Sequence, residues 1–268
     1  MKKNIKQLFS ILILSSMLFS LVACKKFLDK KPLTATLDDL NQGGLEGQIY
    51  GLYSNLRNSA GFTTIPWLAM NDFRSDDSEK GSDPSDGAEW VAPFDHYAYV
   101  KDLWAFNVYW DDHYSLINLA NTAIQTADSL ALTDNASLIN VAEAKFLRAY
   151  AYFDMVRTFG DVPKIDFRVY NASQANIAKS PASAIYDLID ADLQFAAANL
   201  PLAWGNQYPG RLTSGAAKTL QAKAHLFRGN WAPALGLSNQ VINSGAYSLF
   251  SSYYGIFKDA GENCSESI

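Results

Sequence analysis

The sequence predicts an all-α fold in which helices stack in pairs around one long irregular loop. Three observations point there. Apolar and small residues recur at three- and four-residue spacing through most of the chain beyond residue 40. The clearest helical stretch, residues 138–159, is apolar on two sides, as a helix with neighbours on both sides must be. No run reads as a strand longer than a few residues.

Taken in order, the chain opens with a basic segment, Met1 to Gln7, and a nearly apolar run, Leu8 to Val22. That run of 15 residues falls short of the ~20 that a spanning helix needs. It fits a secretory signal peptide, removed in the mature protein, with an uncleaved anchor helix as the alternative. Leu21-Val22-Ala23-Cys24 closes it, with lysines and Pro32 following. Small Ala23 before Cys24 resembles the bacterial lipoprotein box, in which the cysteine sulfur takes a diacylglycerol and the new amino group is acylated. Residues 1–23 then form the signal peptide and 24–40 a lipidated tether, with 41–268 as the helical domain. Two or more acyl chains hold a protein stably, each buried CH₂ contributing ~0.8 kcal/mol. Lys25 stands where an inner-membrane retention signal would have an acid, which favours the outer membrane.

The first helix is expected over Leu40 to Asn58, from Leu45, Ile49, Leu52, Tyr53 and Leu56. Ser59 to Val100 carries Gly61, Pro66, Gly81, Pro84, Gly87 and Pro93 among acids and aromatics, and reads as a long irregular excursion. Helical spacing returns from Trp104 to Leu130. Asp134 or Asn135 can cap the next helix, Leu138 to Phe159, which Gly160 and Pro163 end. Ser180-Pro181 starts a helix over Ala182 to Asn199. Thr213 starts another to Phe227, Gly229-Asn230 turns the chain, and Ala232 to Asn243 is the last. Residues 216–243, with Ala222, Ala224, Trp231 and Ala234, resemble a tetratricopeptide unit. Residues 182–201, with Leu193, Ala196 and Pro201, resemble the second helix of another.

Composition narrows the function. Formal net charge is −5, and the three lysines of residues 1–23 leave −8 on the rest, which argues against nucleic acid as a partner. Three histidines and two cysteines are scattered without zinc-site spacing, so no metal or other cofactor is expected. No phosphate-cradling glycine motif or GxSxG is present.

Asp76-Asp77 and Asp111-Asp112 are paired acids, but glycoside hydrolysis needs two carboxyls ~5–10 Å apart across a bond, which adjacency does not supply. Trp90, Tyr97 and Trp104 lie in or just after the long loop. Flat rings suit the C–H faces of sugars, and an amide such as Asn107 suits their hydroxyls; the alternative is that these rings pack the loop onto the scaffold. Trp110, Tyr114 and Asn121 sit at core spacing. Arg148 is expected to pair with Glu143 or with an acid on another helix. His225 reads as a core histidine, and Cys264 as an unassigned thiol.

Five segments in order then resemble the SusD/RagB family: CKKFLD with Pro32, WDDHYSLINLAN (110–121), AEAKFLRAYAYFDMVRTFGDVPKI (142–165), RLTSGAAKTLQAKAHLFRGNW (211–231) and VINSGAYSL (241–249). The resemblance implies a tetratricopeptide-like helical scaffold and a lipoprotein of the Bacteroidota outer membrane, facing outward. It implies a non-catalytic protein that binds a polysaccharide or oligosaccharide and partners a SusC-type TonB-dependent barrel. Family chains are usually much longer, and GENCSESI stops inside a family-like Glu-Asn…Glu-Ile stretch, so a truncated form is expected. The competing functions are a tetratricopeptide-like module that binds protein or peptide, and a surface hydrolase.

Overall fold

The computed structural model describes residues 43–78, 81, 83, 85 and 91–268. Cys24, the expected signal peptide and tether, and Trp90 lie outside the described residues. Helices follow one another as α1 (Gly44–Asn58), α2 (Ala60–Thr63), α3 (Ile65–Asn71), α4 (Ala92–Asp95), α5 (Trp104–Ser129), α6 (Asn135–Phe159), α7 (Ala172–Ala175), α8 (Ala182–Asn199), α9 (Ser214–Phe227) and α10 (Trp231–Ile242). Two short 3₁₀ turns follow, Tyr254–Phe257 and Asp259–Gly261. Among the described residues there is no strand, and an isolated antiparallel bridge joins Val162 to Ser180. No described helix is long and apolar enough to cross a membrane.

The fold is all-α, as expected. Helix α6 is its centre, with 16 of its 25 residues buried. It packs on α5 along one side and on α8 along another; α9 packs on α8, and α10 on α9. Each helix thus shields the apolar face its neighbour could not bury alone. Local chemistry sets the ends of α6. Asp134 accepts from the Ser137 N–H at 3.0 Å, a cap contributing ~1 kcal/mol. Gly160, at φ 73°, lets the chain leave through a conformation that a Cβ would resist.

The polar residues of α6 find partners on three other elements. Arg148, 4% exposed, forks onto Asp192 of α8, 1% exposed, at 2.7 and 2.8 Å. Its remaining nitrogen donates to Asn121 of α5 at 2.7 Å, and Lys145 reaches Asp192 at 3.2 Å. Burial alone would pull the Arg148 pKa down, but Asp192 more than offsets it, so the pKa ends above the ordinary arginine value. Of the two expected partners, the acid on another helix is the one found. Glu143, fully buried, is held instead by Arg211 through two bonds of 2.9 and 2.6 Å, and it accepts from the Tyr53 hydroxyl at 2.6 Å. Arg211 also reaches Glu46 of α1 at 2.9 Å and lies 4.1 Å from the Trp204 ring centre. Asp154 accepts from Arg157 and lies 3.4 Å from Nε2 of buried His113.

Three expectations need correction. The excursion from Ser59 to Val100 contains α2, α3 and α4, because Phe62, Met70 and Phe94 have apolar faces to bury against α5 and its surroundings. His225 is not a core residue; it sits half-buried at the edge, with Arg228 Nη2 2.9 Å and Asp190 4.0 Å away. The core histidine is His113, stacked on Tyr109 at 4.0 Å. Asn121 is buried as expected, but Trp110 and Tyr114 are only half-buried.

Candidate functional site

The aromatic excursion folds into a cluster beside the N-terminus of α5. Phe94, fully buried in α4, anchors it. Tyr99 and Phe106 pack on Phe94 at 5.6 and 5.4 Å, and on each other edge-on at 5.6 Å. Tyr97 stands outside, edge-on to Tyr99 at 6.3 Å. Arg74, from the turn after α3, lies 5.9 Å over the Tyr99 ring. Tyr97 has φ 55°, a conformation that costs a non-glycine residue ~1–3 kcal/mol, and its hydroxyl donates to the Arg74 carbonyl. The residue is 61% exposed.

Of the residues singled out from sequence, Tyr97 belongs to this cluster. Trp104 and Asn107 lie on the first turn of α5, the turn that also supplies Phe106, and both are exposed. Sequence reasoning missed Tyr99 and Arg74. The aromatic density of FDHYAYVKDLWAF was the available signal for Tyr99; nothing local marked Arg74.

Asp76 and Asp77 are both exposed in the turn after α3, whereas Asp111 and Asp112 differ in burial. Asp112 turns inward and accepts from the Gly61 N–H at 2.7 Å, tying α2 to α5. Asp111 points away and is exposed. No group of three or more potential metal ligands comes together among the described residues. A cavity of about 490 Å³ opens near Trp204, Tyr208 and Tyr247. Among the described lining residues Arg211 is the one charged side chain, and it is already engaged by Glu46 and Glu143. The cluster thus presents an exposed tyrosine ring, with a guanidinium over the neighbouring Tyr99, beside the helix turn that carries Trp104 and Asn107.

A family model described as "Starch-binding associating with outer membrane" matches residues 26–226. The chain belongs to this SusD-like family. Among its SusD-like relatives, P25 of Formosa agariphila is 24% identical over 97% of this chain and 50% of its own. P2 of the same organism is 36% identical over 52% of this chain and 28% of its own. A solved laminarin-binding SusD-like protein is 27% identical with a TM-score of 0.69, covering 81% of this chain and 49% of that one. A SusD superfamily protein from Bacteroides vulgatus reaches a TM-score of 0.75 at 21% identity, over 85% of this chain and 49% of that one, and shows the shared fold. The chain thus spans about half the length of P25 and of these solved SusD-like structures.

Proposed function

We propose that this SusD-like chain serves a non-catalytic lipoprotein that captures glycan at the outer surface of the outer membrane and passes it to a SusC-type TonB-dependent barrel. The observation that carries the reading is the family match across residues 26–226, to a family described as starch-binding and associating with the outer membrane. The name of the laminarin-binding relative supports the same ligand class. Cys24 is the lipid attachment point, supported by the Leu-Val-Ala-Cys box after a basic and apolar leader. Tyr97, Trp104 and Asn107, together with Trp90, Tyr99 and Arg74, are the ligand-binding candidates.

Calorimetry and affinity electrophoresis with starch, laminarin and xyloglucan, on protein lacking residues 1–24, test the capture. Binding of one polysaccharide without sugar release is expected, weakened about tenfold or more by Trp104→Ala or Tyr97→Ala, as loss of ~1.4 kcal/mol implies. Peptide capture with indifference to all glycans would establish the protein-binding alternative. Incorporation of labelled palmitate in a bacterial host, lost in Cys24→Ser, tests the anchor. Co-purification of a TonB-dependent barrel with the anchored protein tests the partner.

A further inference from the structure

We propose a second carbohydrate-binding site, a groove of about 390 Å³ on the flank of the stack between α5 and residues 163–175. The inference rests on the glycan-capture reading but concerns residues apart from the loop cluster. The volume lies within the ~300–1,000 Å³ of ordinary ligand clefts. Its floor is aromatic: Trp110 and Tyr114, four residues apart on α5, sit 5.0 Å apart. Phe159 braces Trp110 edge-on at 5.2 Å, so the indole is held before any ligand arrives.

The opposite wall is preformed as well. Tyr114 donates to the Pro163 carbonyl at 2.8 Å, and Asn118 accepts from the Val169 N–H at 2.8 Å. Asn121 donates to the carbonyls of Ile165 and Phe167, both at 2.9 Å. Those backbone groups are therefore engaged by side chains of α5 and are not offered to an added strand. The rim offers different chemistry. Asp111 and Ser115 are exposed and line the groove, and neither has a hydrogen-bond partner among the described residues. The Trp110 indole N–H likewise has no acceptor among them. A carboxylate at the rim repels anionic ligands and accepts strongly from hydroxyls. Braced rings below, with a carboxylate, a hydroxyl and an N–H at the edge, select a neutral pyranose: C–H faces on the rings, hydroxyls on the rim.

The test follows indole N–H signals by nuclear magnetic resonance in the full chain in detergent. Laminarihexaose, maltohexaose and a xylogluco-oligosaccharide are titrated in turn, with Trp104 reporting the loop cluster and Trp110 the groove. A saturable Trp110 shift with at least one sugar is expected. Ser115→Arg, which fills the groove from an exposed helical position, should abolish it, and Asp111→Asn should weaken it about tenfold, as loss of a hydrogen bond to a charged group implies. A shift at Trp104 alone overturns the groove and leaves the loop reading standing. A shift at Trp110 alone supports the groove and removes the loop reading. Silence at both overturns both, and a Trp110 shift that survives Ser115→Arg overturns the groove.

Discussion

Replacing Asp192 by alanine should be among the most damaging single changes in this chain. Asp192 and Arg148 are 1% and 4% exposed, and the change leaves a buried guanidinium with Asn121 as its remaining partner. Removing one member of a buried pair costs about 3–5 kcal/mol, because the other charge stays desolvated. Lys145 loses its contact too, though its side chain is 22% exposed and water compensates it. Thermal midpoints move ~2–4 °C per kcal/mol in a domain this size, so a fall of roughly 6–20 °C is expected. The double variant Arg148→Met with Asp192→Leu removes both charges and leaves chiefly the Asn121 carbonyl unpaired, at about 1–3 kcal/mol. It should therefore be more stable than Asp192→Ala alone. Chemical denaturation of the wild type, Asp192→Ala, the single variants Arg148→Met and Asp192→Leu, and the double variant measures this. A single-variant cost below about 1 kcal/mol, or costs that simply add, would refute the reasoning.

Further outcomes follow from other contacts. Gly61→Ala would place a Cβ 2.8 Å from Asp112 Cβ and 3.2 Å from Tyr109 Cα, so it should cost about 1–3 kcal/mol in a denaturation curve, and a neutral effect would show that α2 does not press on α5. Arg211→Lys keeps the charge but cannot span Glu143 and Glu46 at once; a loss of about 1–3 kcal/mol is expected, and a change under about 0.5 kcal/mol would remove the fork's structural role. Burial, helped by Arg228 and opposed by Asp190, holds the His225 pKa below the ordinary 6.5. The unfolded chain then takes up the proton first as pH falls, so stability declines on acidification through 6.5 and levels off below the folded value. His225→Gln should flatten that decline in midpoints measured across the interval, and an unchanged slope would clear His225 of the effect.

The long helices were legible in sequence because their signals are local. Trp104, Asn199 and Phe227 fall at the expected ends of their helices, and Asp134 caps α6 through its own side chain. The short helices α2, α3 and α4 were not legible. They are stable only because α5 receives Phe62, Met70 and their neighbours, and Gly61 shows no period of its own. Partners were harder still. Three residues apart, Lys145 and Arg148 share one face of a helix, but nothing in 22 residues of periodicity could say that Asp192, 44 positions beyond Arg148, would meet them. Trp110 and Tyr114 carry core spacing, and a spacing rule does not distinguish a ring sealed by a neighbour from one left lining a groove. Of the candidate site, Tyr97, Trp104 and Asn107 were visible as chemistry, whereas Arg74 joins through a turn that sequence alone leaves open.

The stretch from Pro163 to Val169 has no strand alongside it among the described residues, yet its main chain is moored at successive points by Tyr114, Asn118, Asn121 and Tyr152. The moorings grip carbonyls and an N–H, groups that every residue type except proline provides in full. Apart from buried Ile165, side chains along this rail can therefore be exchanged while its path stays put. Selectivity of the adjoining groove can drift by ordinary point substitution, without any helix being asked to refold.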